Sequence, residues 1–289
     1  PIPQHHYCSM PTAASCLPIS PGRGRLISPL RLSGPEQMAL DEVLLESYEA
    51  DAKPLPTLRF YQWNGPWLSL GRNQHHWPEH WNALAKRGDL QLVRRPSGGS
   101  AVLHAGGLTY ALIWPSPPRQ RQQAYKQACQ WLIRGFKELE LPLQFGDHPA
   151  RGASESNCFA TATAADLVDS QGHKRIGSAQ LWRQGHLLQH GEIILNPPQR
   201  LWREVFDCEP PSDAPASIPR QELSHLLQTT FRSCWPEVNW QESPITNAEW
   251  SSVANKAPNY EVLLDASGCS TNPPETIDST TLGSAIPRG

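Results

Sequence analysis

The sequence predicts an α+β fold, a mostly antiparallel sheet flanked by helices. Three observations carry that reading. Short runs of strand composition recur between turn-forming residues. Segments near 37–48 and 122–139 place apolar residues at helical spacing. Most of the strand runs come in neighbouring pairs around short turns.

The elements follow in order. Ser33-Gly34-Pro35-Glu36 reads as a helix start, with proline and an acid in the first turn. Met38, Leu40, Val43, Leu44 and Leu45 then give a buried stripe as far as Tyr48. Strands are expected at 57–63 and 67–71, bent by Asn64-Gly65-Pro66. A short helix over 78–87 leads to a strand pair around Pro96-Ser97-Gly98-Gly99, whose second strand runs on from Ala101-Val102-Leu103-His104 through Leu108 to Ile113. Paired glycines after a proline let the backbone reach φ > 0 and approach a ligand. A bare Ser-Gly-Gly also fits an ordinary hairpin. Residues 122–139 form a helix with Ala124, Ala128, Trp131, Leu132 and Phe136 on one side. Residues 146–156, rich in Gly, Pro, Asp and Ser, are expected to loop over the site and deliver Cys158. Strands at 165–169, 174–183 and 186–195 complete the sheet, and helices near 198–206 and 219–231 close the domain. Thr, Ser, Pro and Gly from Ser267 onward predict disorder. The organisation expected is a flexible leader over 1–29, a catalytic domain over 30–235 and a C-terminal extension over 236–289.

Composition narrows the function class. The net charge of −2 leaves no basic footprint for nucleic acid. No run of about 18 apolar residues exists, so no transmembrane helix is expected. Residues 1–24 lack the basic and apolar regions of a secretory signal. The seven cysteines are odd in number and scattered, which fits a reducing cytoplasm better than a disulfide framework. None has Cys-x-x-Cys spacing, and His5-His6 and His75-His76 are adjacent rather than one helical turn apart, so no metal site is expected.

Arg94-Arg95-Pro96-Ser97-Gly98-Gly99, followed by Ala101-Val102-Leu103-His104 and Leu108-Thr109-Tyr110, resembles the signature of the biotin/lipoate A/B protein ligase family. Further blocks appear in the family's order. They are Gln37-Met38-Ala39-Leu40-Asp41-Glu42, Leu58 to Trp63 with Leu68 to Gln74, Gly172 to Gln180, and Leu188 to Ile193. The likeness spans roughly 30–235 and implies one domain with that family's class II synthetase-like core. Gly22-Arg23-Gly24-Arg25 resembles the nucleotide loop of biotin ligases but precedes the first helix, so it is assigned to the leader. Cys158 in Asn157-Cys158-Phe159-Ala160, ahead of the Lys174 hairpin, is similar to the octanoyltransferases of the LipM type. Those enzymes work through a cysteine thioester. The chain departs from the family at Ser100 and at Ala105-Gly106-Gly107, the second of which bears on carrier preference more than on chemistry.

The resemblance implies octanoyl transfer from acyl carrier protein to a lipoyl-domain lysine, such as that of glycine cleavage protein H, with no cofactor. A covalent intermediate suits that task because it separates two bulky carriers in time. Cys158 is the candidate nucleophile; a free thiol titrates near about 8.5, and a nearby ammonium raises the thiolate fraction. Lys174 is the candidate ammonium and later proton carrier. By itself Cys158 also reads as a small buried hydrophobe and Lys174 as a solvated hairpin lysine. Arg95, Ser97, Gly98 and Gly99 are candidates for substrate binding, as are Gly177, Ser178 and Ala179, whose small size lets a thioester carbonyl approach the main chain. Val102, Leu103 and alternating residues of the Leu187-Leu188 strand are expected to line an acyl slot. His104 and His190 stand at its mouth, either as hydrogen-bonding wall residues or as packed histidines. Three other readings stay open: an ATP-dependent lipoate ligase, an octanoyl amidotransferase between lipoyl domains, and a non-catalytic carrier-binding relative.

Overall fold

The computed structural model describes residues 22–50, 54–146, 166–211 and 218–264. Its elements are β1 (Gly22–Leu32), α1 (Gly34–Ala50), β2 (Thr57–Trp63), β3 (Trp67–Leu70), α2 (Glu79–Lys86), β4 (Gln91–Arg94), β5 (Val102–His104), β6 (Leu108–Trp114), α3 (Arg121–Glu138), β7 (Gln144–Phe145), β8 (Asp166–Val168), β9 (Lys174–Arg183), β10 (His186–Ile193), α4 (Gln199–Phe206), α5 (Arg220–Cys234), β11 (Val238–Glu242) and α6 (Asn247–Lys256). An eight-stranded sheet runs in the order β11-β1-β2-β6-β10-β9-β8-β7, and a three-stranded sheet in the order β4-β3-β5. In the large sheet only the β11-β1 and β1-β2 pairs are parallel. The α+β class with a mostly antiparallel sheet is thus observed.

Burial on both faces explains the continuous apolar run of β6, in which all seven residues are buried. Side chains alternate across a strand. Tyr110, Leu112 and Trp114 therefore enter one core with Trp131 of α3 and Phe231 of α5. Ala111 and Ile113 enter the opposite core with Met38, Leu44 and Leu45 of α1. That second core also takes Trp67 and Val93 from the small sheet, so α1 is covered on more than one side. A helix in that position needs apolar residues around most of its circumference rather than along one stripe. A third core joins Leu68 and Leu103 of the small sheet to Trp81 of α2 and Trp202 of α4.

The structure differs from the sequence expectation in four places. Residues 22–29, expected in a flexible leader, belong to β1, where Leu26 and Ile27 are buried in the two different cores. Gly24 there lies so close to Trp240 that an added Cβ would stand 2.3 Å from the indole. The expected C-terminal extension is likewise part of the fold: β11 pairs with β1, and Val253 and Tyr260 pack against α1. Its stretch from Ser267 lies outside the described residues. The Pro96-Ser97-Gly98-Gly99 turn does not close a hairpin, because β4 and β5 each pair with β3 on opposite sides. Nor does the strand after it continue unbroken: Gly106 at φ +81° turns the chain out of the small sheet before β6 enters the large one. An L side chain there would be strained, and its Cβ would also meet the Asn196 carbonyl at 1.9 Å.

Candidate active site

Strand register sets the floor of the site. Tyr61 opposes Thr109, Thr109 opposes Glu192, Glu192 opposes Gly177, and Gly177 opposes Asp166, a row across β2, β6, β10, β9 and β8. Opposed residues share a face of a sheet. One step along, His190 and Ala179 form the next row on the same face. These residues line a cleft of about 500 Å³ counting its open mouth, roofed by Met38 of α1 and by Ser69, Arg95, Gly98, Gly99, Val102 and His104 of the small sheet and its loop.

At one end Lys174 Nζ lies 2.8 Å from Asp166 Oδ1, with both side chains almost fully excluded from water. Gly177 makes room for the lysine stem: a Cβ there would stand 2.7 Å from Lys174 Cε. Ser178 belongs by register to the other face, and its hydroxyl pairs there with Tyr110 at 2.8 Å. It borders the cleft through its main chain. Asp166, the first described residue of β8, opposes Gly177, and the Tyr125 hydroxyl lies 3.4 Å from the Ser178 carbonyl.

Two histidine relays bind the sheets together across the cleft. His104 Nδ1 lies 2.9 Å from Glu192 Oε2, and its Nε2 lies 2.8 Å from Ser69 Oγ. The ring stacks on Trp63, with centroids 4.0 Å apart. His190 Nδ1 lies 2.9 Å from Asp41 Oδ2, and its Nε2 lies 2.5 Å from Ser97 Oγ. Both ring nitrogens of each histidine are thus engaged, so these are hydrogen-bonded wall residues rather than merely packed ones. Burial pushes the His104 pKa down, and Glu192 recovers only part of that. Burial would raise the Asp41 pKa, but the Arg59 guanidinium and His190 outweigh it and hold the carboxyl below its usual range.

Arg95 braces the turn that carries Ser97. Its guanidinium donates to the Gly98 carbonyl at 2.8 Å, the Ser100 carbonyl at 2.7 Å and the Ser69 carbonyl at 2.9 Å. Gly99 sits at φ +95°, a backbone conformation open to glycine. The arginine thus borders the cleft while directing its donors to protein carbonyls.

Of the expected site residues, the structure brings Lys174, Arg95, Gly98, Gly99, His104, Gly177, Ser178, Ala179 and His190 to one cleft, with Ser97 held just behind it by His190. Val102 lines it, but Leu103 and Leu187 face the other way on their strands, and Leu188, on the same face as His190, is buried beneath α1 instead. From the same strand His190 and Glu192 face the cleft instead. Cys158 lies outside the described residues, as does all but the first residue of the loop expected over 146–156. Of the described cysteines, Cys129, Cys208 and Cys234, none lines the cleft. Burial pushes the Cys129 thiol up to about 12.

Sequence reasoning missed Asp41, Glu192, Ser69 and the partnership of Asp166 with Lys174. Two of these left a signal. Asp41 is an acid inside an apolar helical stripe, and Glu192 shares the two-residue period of His190.

The model of the lipoyl protein ligase A/B catalytic domain matches residues 33–234. Octanoyltransferase LipM of Geobacillus kaustophilus is 34% identical over 206 residues, 68% of this chain and 70% of that protein. Its counterpart in Anoxybacillus flavithermus is 37% identical over 207 residues, again 68% and 70%. Among solved structures, a putative lipoate protein ligase from T. acidophilum with bound lipoic acid has a TM-score of 0.68 at 21% identity, covering 81% of this chain and 94% of that one. Lipoate-protein ligase A bound with ATP has a TM-score of 0.67 at 20% identity, covering 82% and 94%. At such identities the structural likeness speaks for the fold alone.

Proposed function

Because the chain belongs to the lipoyl protein ligase A/B catalytic domain family, we propose that it is an octanoyltransferase of protein lipoylation working through a Cys158 thioester. The donor is octanoyl acyl carrier protein, and the acceptor is a lysine of a lipoyl-domain protein such as glycine cleavage protein H. Relatives at 34% and 37% identity, both octanoyltransferases, support the acyl chemistry. The observation that carries the reading is the cleft, whose floor ends at the buried Lys174–Asp166 pair, Asp166 being eight residues along the chain from Cys158.

In the first half-reaction the Cys158 thiolate adds to the carrier's thioester carbonyl. The bond from the carbonyl carbon to Cys158 sulfur forms, the bond to the carrier's sulfur breaks, and the carrier leaves as a thiol with the proton that Cys158 gave up. In the second, the neutral amine of the acceptor lysine attacks the enzyme thioester. The amide bond forms, the bond to Cys158 sulfur breaks, and the amine proton passes to that sulfur. Lys174 is the ammonium that favours the thiolate and relays these protons. Asp166 acts as a positioning residue, because a paired and buried ammonium cannot swing away. A main-chain N–H of the Gly177–Ala179 stretch of β9 stabilises the oxyanion.

Intact-protein mass spectrometry after incubation with octanoyl carrier protein, without ATP, tests this. The expected result is a single octanoyl adduct on Cys158 that a lipoyl-domain protein then discharges. An adduct that needs ATP and free octanoate, or none at all, overturns the proposal.

A further inference from the structure

A second hollow, of about 590 Å³ counting its open mouth, lies against the first, and His104 and Glu192 line both. Its remaining walls include Trp63, Gly106, Gly107, Arg31 and Arg220, none of which borders the first cleft. The His104 and Glu192 side chains therefore stand between the two spaces. We infer that the His104 ring is the barrier that limits acyl-chain size, and that its removal joins the two cavities and admits longer saturated acyl groups. This rests on the reading of the first cleft as the acyl slot.

The barrier is braced from every side. His104 stacks on Trp63, and its two nitrogens meet Glu192 and Ser69. Glu192 also accepts from Thr109 Oγ1 at 2.5 Å, and that hydroxyl in turn accepts from Trp63 Nε1 at 2.8 Å. Gly107 packs against the other side of the carboxylate, so close that a Cβ would stand 2.0 Å from Oε1. Rotating the imidazole aside would break the stack and leave buried polar groups without partners, which the surrounding packing opposes. A wall that cannot yield rejects an overlong chain more sharply than a soft one. Behind it the space is already present, so deletion of the ring opens room rather than leaving a sealed void.

The experiment measures octanoyl, decanoyl and dodecanoyl transfer from carrier protein onto Cys158 by intact mass, in the parent, His104→Ala and His104→Phe. The parent should favour octanoyl. His104→Ala should raise dodecanoyl relative to octanoyl by tenfold or more, since each newly buried methylene is worth roughly fourfold. His104→Phe keeps the bulk and the stack but loses the hydrogen bonds, and should retain the parent's limit. If His104→Ala does not fold, judged by circular dichroism, His104→Val takes its place, being shorter than the ring. An unchanged chain-length profile in the small variant overturns the inference, as does equal relaxation in His104→Phe, which would assign the limit to hydrogen bonding rather than bulk. Failure of the parent to form any octanoyl adduct overturns instead the reading of the cleft as an acyl slot.

Discussion

Lys174 and Asp166 meet at 2.8 Å at the end of the cleft, on adjacent strands and almost wholly out of water. Breaking a buried pair from one side leaves an uncompensated charge, typically at a cost of about 3–5 kcal/mol. Lys174→Met and Asp166→Asn should each lower stability on that scale, and the double variant should recover most of the loss. Urea unfolding of the four proteins checks this. Additive losses would mean that the two side chains do not depend on each other.

The same ammonium is expected to act on the thiol. Lys174→Met should slow alkylation of Cys158 near neutral pH and move its pH profile upward, with Lys174→Arg in between. Cys158→Ser should keep the parent's circular dichroism and lose turnover, trapping at most a stable oxyester. Full activity in Cys158→Ser would remove the thioester from the mechanism.

The acid side of the stability profile should be governed by His104. Its pKa is lowered in the folded protein, chiefly by burial. As pH falls through the ordinary histidine value near 6.5, the unfolded chain takes up a proton that the folded chain still refuses, so stability declines. Asp41 is held below its ordinary value, so its contribution survives until more acidic pH. His104→Phe should therefore flatten the change in Tm below neutrality, even though its overall Tm is lower. A slope identical to the parent's would contradict the assignment.

Two neighbouring glycines separate cleft from backbone. A Cβ at Gly98 meets nothing within 4 Å, whereas Gly99 sits at φ +95° and a Cβ there would stand 2.9 Å from Arg95 Nη2. Gly98→Val should obstruct acylation of Cys158 with little change in Tm. Gly99→Ala should be destabilising by about 1–2 kcal/mol through backbone strain. Parent-rate acylation in Gly98→Val would take the turn away from the acyl entrance.

A chain ending at residue 235 should not fold stably, because deleting β11 and α6 strips the cover from Leu26 and from α1. Circular dichroism and proteolysis of the truncated protein check this. A cooperative melt at the parent's temperature would restore the view of that region as an appendage.

Local pattern was enough for the α+β class, for helices α1, α3 and α5, and for the β9-β10 hairpin, because periodicity and turn chemistry act over a few residues. Lys174, His104, His190 and the Ser97-Gly98-Gly99 turn were singled out by the resemblance to the family, since alone the turn reads as a hairpin and the lysine as solvated. Distant pairing was not legible. β11 joins the sheet through β1, more than two hundred residues away, and Gly24 is explained only by the Trp240 indole above it. The partners Asp41, Ser69, Glu192 and Asp166 arrive from four separate elements and meet the motif residues only after the two sheets close over the cleft. A sequence lists the groups that chemistry requires, but which nitrogen faces which oxygen depends on strand register and sheet packing, and these are decided only when the whole chain is in place.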